Sequence, residues 1–142
     1  MSKPKLVPEL YSADFGRSRD FYVRVLGFSV RYERPEDGFA YLEREGAELM
    51  IEQTRDPARL FLAGPLEAPF GRGLHLQIEV SDVEELYDKA RAAGAQLLLD
   101  LEERWYRRGD EEVGNRQFVV TDPDGYALRF FEALGSRPRL TA

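Results

Sequence analysis

The segment LHLQIEVSDVEELYDKARAAGA, residues 74–95, decides the fold. Its first seven residues alternate between apolar and polar side chains, as in a strand with one buried face. Asp82 and the acidic residues after it resemble a helix-capping box, an apolar stripe at helical spacing follows, and Gly94 ends the stripe. The segment therefore predicts one strand followed by one amphipathic helix.

The same order of elements occurs a second time, nearer the N-terminus. Residues 6–28 have the sequence LVPELYSADFGRSRDFYVRVLGF, in which Asp14 takes the place of Asp82 and Gly27 that of Gly94. An internal repeat of this kind indicates two copies of one structural unit. Two copies of an open, curved sheet can close around a shared concavity.

Each predicted helix is followed by three segments with the pattern of strands, bounded by turn residues. In chain order these segments are 28–33, 39–43, 48–54, 96–101, 116–121 and 127–132. We therefore expect an α+β fold with two βαβββ units, which form a curved, partly closed mixed sheet, or cup, with the helices outside.

The repeat also predicts the domain organisation. We expect a single domain over residues 5–134, made of units at about 5–54 and 74–133, with a tail at 135–142. The segment between the units, residues 55–73, is rich in proline and glycine. It is predicted to be a linker, and it is long enough to act also as a flap over a cleft.

Composition narrows the class of protein. The chain has 142 residues, 43% of them hydrophobic, and no cysteine, which is typical of a globular protein of a reducing cytoplasm. No apolar run has the length of a membrane span or of a signal peptide core, so we expect a cytoplasmic protein without membrane contact. The net charge of −6 disfavours nucleic acid as a partner, because phosphate binding requires clustered positive charge.

Four positions are equivalent in the two repeats. An offset of 68 residues aligns the strand-helix openings and places His75 opposite Val7. An offset of 79 aligns the closing strands and places Arg129 opposite Met50. Each of these side chains lies on the strand face opposite the more apolar series, which should pack against the helices. The four are therefore expected to point together into the concavity, where ligands bind in half-closed sheets.

The order of these motifs resembles the vicinal-oxygen-chelate superfamily, which includes glyoxalase I, extradiol dioxygenases and bleomycin-resistance proteins. The resemblance covers about residues 6–134 and implies βαβββ units paired into a cup, commonly in a homodimer. The matching phrases are Pro8-Glu9-Leu10, Asp14, Ser18, Phe21-Tyr22, Leu26-Gly27-Phe28, Asp82, Leu86-Tyr87, Gly114-Asn115-Arg116-Gln117-Phe118 and Asp122-Pro123-Asp124-Gly125-Tyr126.

In metal-dependent members the ligands come from strand positions that correspond here to Val7, Met50, His75 and Arg129. Only His75 has a side chain that can coordinate a metal, whereas a catalytic zinc usually has three protein ligands. A guanidinium keeps its charge and repels a divalent cation. The resemblance therefore implies a superfamily member with no metal, no cofactor and no catalytic residue of the metal-dependent kind.

Two of these residues also have structural interpretations. His75 is either a histidine hydrogen-bonded to its neighbours or a hydrogen-bonding group for a ligand. Arg129 either forms an ion pair with an inward carboxylate, such as Glu9 or Glu52, or contacts a ligand. Both roles of Arg129 can hold together.

Aromatic and acidic residues complete the predicted ligand site. Trp105 precedes an acidic loop bounded by glycines, residues 109–114, and either packs at the rim or binds a planar cationic ligand, as the resemblance favours. Phe39 and Tyr41 are predicted pocket walls or core residues. The predicted ligand-binding residues are His75, Arg129, Met50, Val7, Glu9, Tyr41, Trp105 and Phe39.

These observations predict a metal-free, homodimeric protein that binds and sequesters an aromatic or cationic, antibiotic-like small molecule. The resemblance leaves one alternative, a metal-dependent lyase, isomerase or dioxygenase with a non-standard metal site such as His75 with Glu9 or Glu52. A third possibility is an interaction module whose cup is vestigial.

Overall fold

The computed structural model describes residues 3–53 and 55–140, which fold as two units. Unit 1 comprises Met1–Leu74 together with Asp122–Tyr126, and unit 2 comprises His75–Thr121 and Ala127–Ala142. No helix in the described part of the chain is long and apolar enough to cross a membrane.

Unit 1 contains an open, mixed four-stranded sheet in the order β1-β4-β3-β2. Strand β1 is parallel to β4, and the remaining neighbours are antiparallel. A helix, α1, continues into a π-helical turn, and a short 3-10 turn precedes β3. The elements are β1 (Glu9–Tyr11), α1 (Phe15–Asp20), the π turn (Phe21–Val25), β2 (Ser29–Arg34), the 3-10 turn (Pro35–Asp37), β3 (Phe39–Arg44) and β4 (Ala47–Glu52).

Unit 2 has the same topology, with strand order β5-β8-β7-β6 and a parallel pair formed by β5 and β8. The two βαβββ units and the α+β class are therefore confirmed. The elements are β5 (His75–Glu79), α2 (Val83–Ala92), β6 (Leu97–Arg108), β7 (Glu111–Thr121) and β8 (Ala127–Pro138).

Both helical segments begin after the predicted caps and stop before the predicted glycines, although the first changes from α1 to the π turn at Phe21. Asp14 accepts a hydrogen bond from the backbone N of Arg17, and Asp82 accepts one from the backbone N of Glu85, each with a length of 3.1 Å. These bonds satisfy backbone donors that a helix leaves free in its first turn. Gly27 and Gly94 have φ angles of +73° and +72°, a conformation that glycine adopts without strain.

Strand alternation places one face of each sheet in the core, also as predicted. In unit 2 the side chains of Phe118, Leu128 and Phe130 are fully buried, and Phe118 contacts Tyr87 of α2 edge to face at 5.3 Å. In unit 1 the corresponding face carries Leu10, Ala40, Leu42, Leu49 and Ile51, all at most 4% exposed.

The strands of unit 2 are longer than the sequence predicts. The segment 109–114 was predicted to be an acidic loop, but β6 and β7 continue almost to its tip and leave only Gly109 and Asp110 as a turn. Strand β8 reaches Pro138 and so includes part of the predicted tail. Cross-strand ion pairs stabilise this extension, for example between Arg137 and Glu112 at 2.9 Å.

The Asp122–Gly125 turn is tight, as predicted, and its carboxylates are also buried in unit 1. Asp122 is 4% exposed and accepts hydrogen bonds from the Tyr22 hydroxyl at 2.7 Å and from the backbone N of Asp124 and of Tyr126. Asp124 is 6% exposed and accepts a bond of 2.9 Å from Ser18 of α1. Burial raises the pKa of Asp122, and these donors oppose the rise.

Candidate functional site

Sheet register places Arg129 at the centre of the polar face of unit 2. On β8 it is paired with Gln77 of β5 on one side and with Val119 of β7 on the other, and Val119 is paired with Leu99 of β6. A cavity of about 440 Å³ lies over this face, within the usual size range of small-molecule sites. Its lining residues are His75, Leu98, Leu99, Glu102, Arg104, Tyr106, Gln117, Val119, Ala127 and Arg129.

A chain of hydrogen bonds fixes one wall of this cavity. Gln117 is 1% exposed, and its amide Nε2 donates to the Tyr106 hydroxyl at 2.6 Å and to Glu102 Oε2 at 2.9 Å. A buried amide with two such bonds holds its partners in defined positions. Tyr106 is therefore fixed beside the guanidinium of Arg129, whose carbon lies 5.4 Å from the ring centroid.

Arg129 has no ion-pair partner in the part of the chain that the structure describes. Its Nε is buried and has no hydrogen bond among the described residues. The ion pair with Glu9 or Glu52 that the sequence suggested stays a prediction, and these two carboxyl groups hydrogen bond with each other in unit 1. Arg129 is therefore a cation that lines a cavity next to the ring of Tyr106.

His75 begins β5 and lines the same cavity. Its side chain is exposed, and no hydrogen bond of its imidazole is found in the described part of the chain. The described residues therefore do not include a hydrogen-bonding neighbour of His75, which was one of its two interpretations from the sequence. The imidazole is free to donate to, or accept from, a bound molecule.

A second cavity, of about 290 Å³, lies over the polar face of the unit 1 sheet. Register pairs Glu9 with Met50, and Glu52 with Phe39, so strand alternation brings all four to this face. Two residues of the predicted linker, Arg59 and Phe61, also line it; closure of the linker as a flap stays a prediction. The lining is Glu9, Tyr32, Arg34, Phe39, Met50, Glu52, Arg59 and Phe61.

The carboxyl pair of this cavity binds a proton near neutral pH. The hydrogen bond with Glu9 is the main cause that raises the pKa of Glu52, to about 7, and burial and the charge of Glu9 add to it. Arg34 and Arg59 lie close enough to oppose the rise. Two adjacent carboxylates share a proton because they cannot both ionise without repulsion.

We expect Glu52→Gln to be more stable than the wild type above pH 7. The pKa of Glu52 is raised from 4.5 in the unfolded chain, so its stabilising proton is bound at low pH and lost as pH rises through about 7. The variant does not lose stability in this way, so its free energy of unfolding above pH 7 should exceed that of the wild type by about 1–2 kcal/mol. Water reaches part of the pair, and this screening keeps the difference small. Urea denaturation between pH 4 and 8 measures it. Glu36→Gln, at an exposed carboxylate of the same unit, serves as control, and parallel pH profiles for both variants would contradict the shared proton.

The remaining predicted residues line neither cavity. Val7 is half-buried and precedes β1, and Tyr41 is buried on β3, stacked on Tyr32 at 5.1 Å. Trp105 lies in β6 rather than before a loop; its ring covers Gly114 and contacts the Arg137 guanidinium at 3.9 Å. Convergence of all four aligned positions on one site stays a prediction.

Gln117, Tyr106 and Glu102 were not predicted as site residues. Gln117 is next to Phe118 in β7, and neighbouring residues of a strand point to opposite faces. Since Phe118 is an apolar core residue, this alternation could have placed Gln117 on the polar face. Its contact with Glu102 depends on a register that shifts within β6 and β7, and alternation alone does not reveal such a shift.

The donor set of the described residues is poor for a metal. Among residues 3–53 and 55–140, no group of three or more His, Cys, Asp or Glu side chains could hold a metal ion. In unit 2, His75 shares its cavity with the guanidinium of Arg129. A cation repels a divalent ion there, by roughly 8 kcal/mol at about 4 Å and an effective dielectric of about 20.

Comparison with known proteins agrees with this fold. Residues 7–130 match the family model of the Glyoxalase/Bleomycin resistance protein/Dioxygenase superfamily. A bleomycin resistance protein of Geobacillus stearothermophilus is 28% identical over 145 residues, which cover 92% of this chain and 97% of that protein. The crystal structure of TioX from Micromonospora sp. ML1 is 28% identical with a TM-score of 0.71, and the match covers 92% of this chain and all of that one. A protein of unknown function from Agrobacterium tumefaciens is 25% identical with a TM-score of 0.68, over 94% and 97% of the two chains. The chain belongs to the Glyoxalase/Bleomycin resistance protein/Dioxygenase superfamily.

Proposed function

We propose that this protein binds and sequesters a small aromatic or cationic organic compound without a metal and without changing it chemically. The observation that carries the proposal is the cavity of unit 2, which is lined by apolar side chains and by a few polar groups. One of these is Arg129, whose buried Nε has no hydrogen bond among the described residues. Such a cavity suits an organic ligand with a few polar groups. The likeness to bleomycin resistance proteins supports the same class of function.

The mode of binding follows from the lining of unit 2. Leu98, Leu99 and Val119 supply apolar surface, and Tyr106 supplies a ring held in place by Gln117. An aromatic ligand buries its faces against these side chains, and burial of apolar surface contributes about 25 cal/mol per Å². His75 and Arg129 then hydrogen bond to its polar groups.

We expect calorimetric titration with metal-free and with copper-loaded bleomycin to show saturable binding, because bleomycin resistance proteins are relatives of this chain. Val119→Phe should weaken this binding at least about tenfold, since the added ring fills the cavity beside Arg129. The matched control is Val30→Phe on β2 of unit 1, at a half-buried valine that does not line either cavity. Absence of heat at high micromolar bleomycin would remove bleomycin as a ligand, and equal effects of the two variants would remove the cavity as its site.

The competing proposal is an enzyme with a non-standard metal site. The carboxyl pair of Glu9 and Glu52 is the feature that favours it, because carboxylates bind divalent cations. Metal analysis after chelator-free purification tests it, together with melting in the presence of nickel, zinc, iron or manganese. We expect no bound transition metal and no upward shift of the melting temperature; stoichiometric metal would overturn the metal-free proposal. The homodimer stays a prediction, which sedimentation velocity would check.

A further inference from the structure

We infer that the cavity of unit 2 recognises an acidic group of its ligand, a planar carboxylate attached to an aromatic ring, and that Arg129 is the residue that binds it. The inference rests on the proposed function, since it names the chemistry of a ligand held in that same cavity. The polar group of the ligand is then an anion and not a cation.

The first observation is the state of the Arg129 guanidinium. A charged group removed from water needs a counter-charge or hydrogen bonds, and the buried Nε of Arg129 has no hydrogen bond in the described part of the chain. Other arginines of this sheet have carboxylate partners: Arg137 donates to Glu112 at 2.9 Å, and Arg108 donates to Glu111 at 2.9 Å. Arg129 differs because it faces a cavity and lacks such a carboxylate. A ligand carboxylate would supply the missing acceptors in the forked geometry that a guanidinium matches.

The second observation is the direction of the hydrogen bonds in the cavity wall. Gln117 donates to the hydroxyl oxygen of Tyr106, so that oxygen acts as an acceptor within the protein. No acceptor for the hydroxyl proton is found among residues 3–53 and 55–140, so Tyr106 keeps a donor for a ligand. Donors of Tyr106 and Arg129 therefore line one cavity, and an anion is the group that both would bind.

The third observation is the balance of charge in the lining. Glu102 is the one carboxylate among the residues that line the cavity, and it already accepts from Gln117 at 2.9 Å. Against it stand the guanidinium groups of Arg104 and Arg129. A ligand ammonium would meet two cations and one carboxylate that already accepts one hydrogen bond, whereas a ligand carboxylate would meet two cations. The apolar residues beside them favour a ring as the body of the ligand.

Three probes of the same shape test the inference: 2-naphthoate, 2-naphthamide and 2-naphthylmethylammonium, titrated by calorimetry into the full-length protein at neutral pH. We expect naphthoate to bind at least about tenfold more tightly than the amide, because a hydrogen bond to a charged group is the stronger kind. The ammonium should bind more weakly than the amide. The preference for naphthoate should also fall as salt is added.

Variants assign the preference to one residue. Arg129→Met should abolish the difference in affinity between naphthoate and naphthamide, while Arg129→Lys should keep part of the difference. The matched control is Arg116→Met, at a half-buried arginine of β7 that lies 4.0 Å from Glu84 and does not line the cavity. Circular dichroism and melting of each variant confirm that it is folded.

The outcomes separate the inference from the proposed function. No binding of naphthoate, equal or tighter binding of the amide or the ammonium, or an unchanged preference in Arg129→Met would overturn recognition of an acidic group. Binding of the ammonium that Val119→Phe removes would still support a metal-free binder. Naphthoate that binds through Arg129 but is recovered chemically altered, as judged by mass spectrometry, would uphold the inference and overturn sequestration.

Discussion

Asp122→Ala is expected to lower the free energy of unfolding by about 3–4 kcal/mol. The substitution removes the acceptor of the Tyr22 hydroxyl and of the backbone N of Asp124 and of Tyr126, and it leaves these donors in a site where Asp122 is only 4% exposed. Each buried donor left without a partner costs about 1–3 kcal/mol. Urea denaturation at pH 7 measures the loss, and the melting temperature should fall by roughly 10 °C.

Tyr22→Phe is the matched control for this network. It removes one donor but leaves Asp122 bound to the two backbone N–H groups, so it should cost about 1 kcal/mol. If Asp122→Ala costs no more than Tyr22→Phe, the turn is held by its backbone alone and the buried carboxylate contributes nothing.

Phe118→Ala should destabilise the protein by about 3–5 kcal/mol. The ring is fully buried, stacked on Phe130 at 5.7 Å and edge to face with Tyr87 at 5.3 Å. Removal of a buried ring loses its burial and leaves a cavity that the sheet cannot fill. Denaturation measures the total loss, and hydrogen exchange followed by mass spectrometry should show the largest loss of protection in β6, β7 and β8.

Val119→Ala is the comparison on the opposite face of the same strand. Val119 is half-buried beside the cavity, so its truncation should cost about 1 kcal/mol. Similar losses for the two variants would mean that the face carrying Phe118 is not the core of unit 2.

Local chemistry of the chain was enough to predict the units and their faces. The caps at Asp14 and Asp82 depend on residues within three positions of each other, and strand alternation depends on neighbours two apart. The π turn after α1 was not predicted, because apolar spacing over Phe21–Val25 is compatible with an ordinary α-helix.

What the sequence did not reveal depends on contacts between distant residues. The tip of the unit 2 hairpin was interpreted as an acidic loop, because its arginines and glutamates form pairs only after the strands are aligned, as between Arg137 and Glu112. The wall formed by Gln117 and Glu102 depends on a register that shifts along the strands. The burial of Asp122 was hidden for a similar reason, since its partner Tyr22 lies 100 positions away along the chain.

The Asp122–Gly125 turn makes unit 1 depend on residues of the second repeat. The first repeat closes its last hairpin with Glu45 and Gly46, whereas the second closes with a longer turn whose residues belong to unit 1. The second repeat thus supplies a turn that packs within unit 1. A gene cut within residues 55–73 would separate Tyr22 and Ser18 from the carboxylates they bind. A fragment that ends at this cut would lack the acceptors of Tyr22 and Ser18, and we therefore expect it to be less stable than the same segment in the intact chain.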